Sequence, residues 1–204
     1  DQGSGDWLRA RAGKVTASRF KDVMAKGVKG GYLKARQDYL WEIVVERITG
    51  RASDHFASVA MQWGTDNESA ARMAYEARTG AIVEEVGFLP HPTLEGVGGS
   101  PDGLVGDDGG WEGKCPFNSA IHLQTILDGM PDEHAGQVQG LMWITGRKWW
   151  DFESHDPRLP APFDTYIQRI PRDETYIAEL EREVVKFLAE VDAMVNALKE
   201  HAPK

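Results

Sequence analysis

The stretch Ser100-Pro101-Asp102-Gly103-Leu104-Val105-Gly106-Asp107-Asp108-Gly109-Gly110-Trp111-Glu112-Gly113-Lys114-Cys115 decides how the chain is read. Its middle, residues 106–110, holds only glycine and aspartate, the composition of a tight turn. A strand over part of residues 96–105 and a returning strand over 111–115 follow from it. On a strand the side-chain period is two, so Glu112 and Lys114 share one face. The turn folds the strands back on each other and lays Asp102 opposite that pair. Two converging carboxylates make an oxygen-rich site for a hard divalent cation, Mg²⁺ or Mn²⁺. Gly113, without a side chain, exposes its carbonyl as a third oxygen. Such an ion lowers the pKa of bound water and neutralises charge that develops on a phosphodiester. Lys114 would orient or deprotonate that water, or stabilise the developing charge.

Working outward, three helices precede this hairpin. Residues 16–25 follow the helix start Thr16-Ala17-Ser18. Residues 32–49 carry apolar Leu33, Leu40, Ile43, Val44 and Ile48 and stop at Gly50, and residues 58–79 stop at Gly80. A strand is expected over residues 81–89. After the hairpin come helices near 119–127 and 132–145, then strands near 149–154 and 165–170 around Pro157, Pro160 and Pro162. A long amphipathic helix from Asp173 places Tyr176, Leu180, Val184, Leu188, Val191, Val195 and Leu198 on one stripe, read as core packing. The expected fold is α/β, a central mixed β-sheet flanked by helices and a long C-terminal helix, in one domain over residues 1–204.

Composition bounds the function. The 204 residues are 41 % hydrophobic and 27 % charged, enough for a real core. The single cysteine, Cys115, excludes a disulfide framework, a four-cysteine zinc site and a four-cysteine cluster, and fits a reduced, cytoplasmic setting. No run approaches the apolar length of a membrane span, and Asp1-Gln2-Gly3-Ser4-Gly5 does not read as a signal peptide. A net charge of −9 argues against nucleic acid, yet the average hides an asymmetry. Residues 1–51 hold 11 Lys/Arg against 6 Asp/Glu, a net of +5, which leaves −14 for the rest. A basic face on an acidic protein is compatible with those numbers.

The triplet acid-x-Lys alone is weak, since a chain with ten lysines and 32 acids carries one by chance. Its weight comes from the Pro-Asp-Gly turn upstream and from Glu68, in Trp63-Gly64-Thr65-Asp66-Asn67-Glu68. Glu68 reads either as a further carboxylate of the site or as a first-turn Glu facing the helix dipole. Asp102, Glu112 and Lys114 together match the PD-(D/E)xK nuclease motif. The wider text resembles the YqaJ-type viral recombinase family, the family of phage lambda-type exonucleases. The resemblance rests on Trp7-Leu8-Arg9-Ala10-Arg11-Ala12-Gly13-Lys14-Val15-Thr16-Ala17-Ser18, on Trp63-Gly64 with Glu68, and on Ser100 to Leu104. It continues in Glu112-Gly113-Lys114-Cys115-Pro116-Phe117 and Gln137-Val138-Gln139-Gly140-Leu141-Met142-Trp143. These five blocks stand in the same order over residues 7–156.

The resemblance implies a restriction-endonuclease-like core. It also implies a Mg²⁺-dependent 5′→3′ exonuclease that digests one strand of linear duplex DNA from 5′-phosphorylated ends and leaves 3′ single-stranded tails. It further implies two Mg²⁺ ions with Mn²⁺ as a substitute, a homotrimeric ring, a single-strand annealing partner protein, no membrane, and a phage or prophage origin in a bacterial cytoplasm. By position, Asp102, Glu112 and the Gly113 carbonyl would hold metal, with Glu68 assisting the second ion. Lys114 would act on the water. Arg11, Ser18 and Ser100 would grip the 5′ phosphate, and Gln137 would line the site. Arg11 with a helix-start serine suits an anion independently; the plain alternative is a surface salt bridge. Residues 26–31 and 118–133 match the family poorly, in loops expected to touch DNA.

Two other functional readings remain open at this stage, a different PD-(D/E)xK endonuclease of restriction or junction-resolving type, and a non-catalytic DNA-end-binding adaptor. Cys115 reads as a buried thiol, and His134 reaches the site or lies in solvent or core. His55, His91, His122, His155 and His201 lack zinc spacing. Trp143, Trp149 and Trp150 read as core rather than as base-stacking residues. Gly27-Val28-Lys29-Gly30-Gly31 lacks the Gly-Lys-Ser/Thr ending of a phosphate loop, so ATP is not implied.

Overall fold

The computed structural model describes residues 3–53 and 58–201. Asp1 and Gln2 of the opening segment, and His55, lie outside them. Helix α1 (Gly5–Arg11), capped by the Ser4 hydroxyl, leads into the two-residue strand β1 (Val15–Thr16). After a 3₁₀ turn at Ala17–Arg19 come α2 (Phe20–Val23), α3 (Lys34–Thr49) and α4 (Val59–Thr79). Four short strands follow, β2 (Val83–Glu84), β3 (Leu89–Pro90), β4 (Val97–Gly99) and β5 (Gly103–Val105), then β6 (Gly109–Lys114). The remainder is α5 (Ser119–Asp128), α6 (Ala135–Thr145), β7 (Trp149–His155), β8 (Thr165–Pro171) and α7 (Glu174–His201).

The central sheet has the order β2-β5-β6-β7-β8 and is mixed: β6 and β7 run parallel, and the other neighbours are antiparallel. Helices cover both faces. On one face Trp150 packs with α2, α3, α6 and α7. On the other Trp111 packs with Ala71 and Tyr75 of α4. Helix α6 is buried almost all round, with Val138, Leu141 and Met142 fully covered, which is the pattern of a core helix rather than an amphipathic one. Helix α7 buries Ile177, Leu180, Val184, Phe187, Val191 and Val195 at helical spacing, and Arg36 of α3 makes a bidentate pair with Glu190 across the contact. Leu198, read as part of that stripe, is exposed, as are Leu33 and Ile48 at the ends of α3.

Four points depart from the sequence expectations. A second sheet, β1-β4-β3, was not anticipated. The strand expected over residues 96–105 divides between the two sheets, because Pro101 has no N–H to donate to a ladder. The strand over residues 81–89 divides likewise, and Glu85, Val86 and Gly87 between its halves line a cavity. The helix expected from Thr16 begins later, because Thr16 is extended, pairs with Gly98 and donates its N–H to the Tyr39 hydroxyl at 3.1 Å. The break at Ser100-Pro101-Asp102 places Asp102 where the chain crosses from the small sheet to the large one.

Candidate active site

Register positions the first carboxylate. Gly103 pairs with Trp111, so Asp102 stands beside the end of β6, and its Oδ2 accepts the Gly113 N–H at 3.0 Å. The N–H and C=O of one strand residue face the same edge, so the Gly113 carbonyl also faces the Asp102 side. Glu112 is fully buried, and its Oε1 accepts from both Lys114 Nζ and Gln137 Nε2. The Glu112 Oε2 atom is buried without a hydrogen-bond partner. Burial pushes the Glu112 carboxyl up, and Asp102 pushes it further. Asp102 is raised by burial as well, against the opposing pull of Lys114. Burial alone would lower Lys114, but Glu112, Asp102 and Glu68 outweigh it and keep the ammonium charged.

These residues fit a hard divalent cation. The Asp102 charge adds to the burial that disfavours ionised Glu112, and the Glu112 Oε2 lacks a donor; a cation relieves both. Among the described residues no three His, Cys, Asp or Glu side chains are already gathered around one point. The Gly113 carbonyl, water and a substrate oxygen would therefore complete the coordination.

Glu68 faces the cavity that Asp102 lines, of about 580 Å³. Burial and Asp102 raise its carboxyl, while Lys114 and Arg72 pull the other way. It lies in the third turn of α4, so the alternative of a first-turn Glu facing the helix dipole does not hold.

Arg11 and Ser18 line a second cavity of about 490 Å³, with Lys14, Thr16 and Arg19. The Arg11 side chain makes no hydrogen bond or ion pair among the described residues, so the surface salt-bridge alternative fails among them. Its guanidinium lies 4.1 Å from the Trp7 ring centroid, and burial lowers its pKa. Glu46, in the same cavity, spends its oxygens on Gly13 N–H at 2.8 Å and Ser53 N–H at 2.7 Å. A desolvated guanidinium in a cavity it shares with Ser18 has the chemistry that suits an anion. Ser100 does not line this cavity; its hydroxyl accepts the Trp7 indole N–H at 2.8 Å. Trp7 lines both cavities and stands between the acids and Arg11.

The family model of the YqaJ-like viral recombinase domain matches residues 6–148, a span that holds every one of these groups. The chain belongs to the YqaJ-like viral recombinase family. It is 47 % identical to an alkaline exonuclease (LHK-Exo) from Laribacter hongkongensis, over 97 % of each chain and with a TM-score of 0.89. The same relative has also been crystallised in complex with dAMP. A phage-related exonuclease from Haemophilus somnus 129PT shares the fold at a TM-score of 0.73 and 14 % identity, over 91 % of this chain and 96 % of that one. Among curated proteins, ExoD of Escherichia coli (strain K12) is 31 % identical over 66 residues, 32 % of this chain and 75 % of that protein.

The remaining candidates of this YqaJ-like chain fall into place around the site. His134 stands in the 3₁₀ turn before α6, its ring 5.3 Å from Phe152; burial and the Lys114 charge lower it to about 4. The Cys115 thiol is pushed up to about 12 by burial and is no nucleophile. Trp143 and Trp150 are core, and Trp149 is half-buried beneath the Arg169 guanidinium at 3.6 Å. Trp7 was visible in the sequence only as part of a motif. Nothing local revealed that its ring would wall off two cavities, because α1 and residue 100 meet only in the fold. Among the described residues, no helix is long and apolar enough to cross a membrane.

Proposed function

We propose that this protein is a Mg²⁺-dependent 5′→3′ exonuclease that shortens one strand of linear duplex DNA from a 5′-phosphorylated end. The observation that carries this reading is the pair of cavities separated by Trp7, one lined by Glu68 and Asp102, the other by Arg11, whose side chain has no hydrogen-bond or ion-pair partner among the described residues. An acidic centre alone suits any metal nuclease. A separate anion pocket one aromatic ring away suits an enzyme that holds a chain end while cutting beside it. The exonuclease relative at 47 % identity, and its complex with a mononucleotide, support the same reading.

In this reading Asp102, Glu112 and the Gly113 carbonyl hold Mg²⁺ and Glu68 assists a second ion, with Mn²⁺ as a substitute. The bound metal supplies an acidified water and charge neutralisation at the phosphodiester. Lys114, kept charged by its acids, orients the attacking water and stabilises negative charge on the phosphate oxygens. Gln137 fixes the Glu112 carboxylate through its amide N–H. Arg11 and Ser18 bind the terminal phosphate, and Trp7 holds Ser100 and the Asp102 loop at a set distance from it. The products are 5′-mononucleotides and a 3′-tailed duplex. A single-strand annealing protein receives the tail, and the working enzyme is a homotrimeric ring in a bacterial cytoplasm.

The test is digestion of linear duplex labelled at either end, in Mg²⁺ and in EDTA, beside closed circular DNA. Release of labelled 5′-mononucleotides in Mg²⁺ alone, with circles intact, is expected. Cut circles would replace the reading with an endonuclease, and binding of ends without any cleavage would replace it with an adaptor. A light-scattering mass of one protomer would remove the ring.

A further inference from the structure

Helix α4 turns four residues at helical spacing into the catalytic cavity: Thr65, Glu68, Ser69 and Arg72. Two of them are accounted for, Glu68 as an acid of the site and Thr65 by a bond from its hydroxyl to Met61 O at 3.2 Å. The Ser69 hydroxyl has no hydrogen bond among the described residues. Arg72 is the one cation among the described residues lining this cavity, against Glu68, Glu85 and Asp102. Its guanidinium pairs with Glu85, whose side chain is 67 % exposed while that of Arg72 is 30 % exposed.

A DNA strand entering a cavity with three acids needs a cation to meet its phosphates. A hydroxyl and a guanidinium one helical turn apart present converging donors to a phosphate. The partner that now holds Arg72 sits largely in solvent, where an ion pair is weak and readily exchanged. We propose that Ser69 and Arg72 form a second phosphate subsite, for an internal phosphodiester of the DNA, with Glu85 as the counter-ion that occupies Arg72 when no phosphate is bound. The proposal rests on the nuclease reading above. It concerns a different phosphate from the one assigned to Arg11, because the two guanidiniums line separate cavities with Trp7 between them.

The experiment measures binding of blunt duplex DNA with 5′-hydroxyl ends, in EDTA, over a range of salt. The 5′-hydroxyl removes the Arg11 ligand from the comparison. Arg72→Ala should weaken binding about tenfold at low salt, the weight of one charge-assisted contact. It should also reduce the slope of log affinity against log salt by about 0.9, one phosphate neutralised. Ser69→Ala should weaken binding while leaving that slope alone. Glu85→Gln should tighten binding, and the gain should vanish in the Arg72→Ala background. Arg72→Lys keeps the salt slope with reduced affinity, and thermal melts matched to wild type separate these effects from misfolding.

An unchanged slope in Arg72→Ala overturns the subsite, as does a Glu85→Gln gain that survives without Arg72. If the wild type digests linear duplex and Arg72→Ala binds like wild type, the subsite alone falls. If the wild type neither binds nor digests duplex, the nuclease reading falls with it.

Discussion

The indole N–H of Trp7 donates to Ser100 Oγ at 2.8 Å, and so ties α1 to the loop that carries Asp102. The Arg11 guanidinium lies over the same ring, 4.1 Å from its centroid. One side chain thus fixes the spacing between Arg11 and the acids.

Trp7→Phe keeps a ring under Arg11 and removes only the bond to Ser100. A neutral hydrogen bond is worth about 0.5–1.5 kcal/mol, or about 2- to 12-fold in rate. Turnover on linear duplex is expected to fall by that factor, with the preference for 5′-phosphorylated ends retained. Trp7→Leu, which loses the ring as well, should also erode that preference. Steady-state turnover on 5′-phosphate and 5′-hydroxyl duplexes checks both, and wild-type turnover in Trp7→Phe would uncouple Trp7 from the Asp102 loop.

Lys114→Ala removes the ammonium that Glu112 accepts and that outweighs its own burial. Cleavage is expected to drop by about 10²–10⁴-fold, the range for a group acting on the reacting water. Duplex binding in EDTA should remain. Single-turnover digestion measures the first and anisotropy the second; cleavage near the wild-type rate would show that Lys114 acts on nothing in the reaction.

How far the sequence carried these readings depends on the distance over which each residue's partner lies. Glu112 and Lys114 are two residues apart, and strand alternation alone put them on one face. Asp102 was reachable because the turn at residues 106–110 fixed the register that brings it to Gly113. The long C-terminal stripe was legible for the same local reason, in its 3.6 periodicity. The second sheet was not legible, because β1 meets β4 across more than 80 residues in two pairs of residues. Arg72 also gave no signal, since its partner Glu85 follows a helix end and a strand. Residues whose meaning depends on a tertiary neighbour look, in sequence, like any solvated charge.

Arg11→Ala tests the anion pocket directly. Because the Arg11 side chain has no hydrogen-bond or ion-pair partner among the described residues, its loss leaves no orphaned carboxylate there, and stability should change little. The ratio of turnover on 5′-phosphate to 5′-hydroxyl ends should fall to about one, from a wild-type ratio of about tenfold or more for a charge-assisted contact. A ratio unchanged in the variant would move the terminal phosphate elsewhere.

Gly113→Ala probes the strand beside Asp102. A β-carbon at 113 would lie 2.6 Å and 2.8 Å from two atoms of the Trp111 ring. Trp111 cannot give way, since it is buried, packed 6.0 Å from the Tyr75 ring and bonded to Glu153. Overpacking of this kind costs about 1–3 kcal/mol, so thermal unfolding should move down by about 2–4 °C for each of them. An unshifted melting temperature would show that Trp111 has another place to go.

Glu153 sets a pH dependence of stability. It is fully buried; Trp111 Nε1 donates to its Oε2 at 2.8 Å, and its Oε1 has no partner. Burial pushes the carboxyl up to about 8, against the opposing Trp111 bond and Arg78. An unfolded glutamate titrates near about 4.3. Between those values the folded chain keeps a proton that the unfolded chain has released, so stability falls as pH rises through that window. Below the window both states are protonated, and above it both are ionised, so the loss is complete past about pH 8 and does not grow further. The slope from this one group is at most about 1.4 kcal/mol per pH unit. Glu153→Gln retains an acceptor for the Trp111 N–H and cannot ionise. It should therefore flatten the dependence and be the more stable protein at pH 8.5, while the two differ little at pH 4. Urea unfolding of both proteins across that range measures the difference; parallel curves would mean that Glu153 is ionised in the folded chain and that another group supplies its counter-charge.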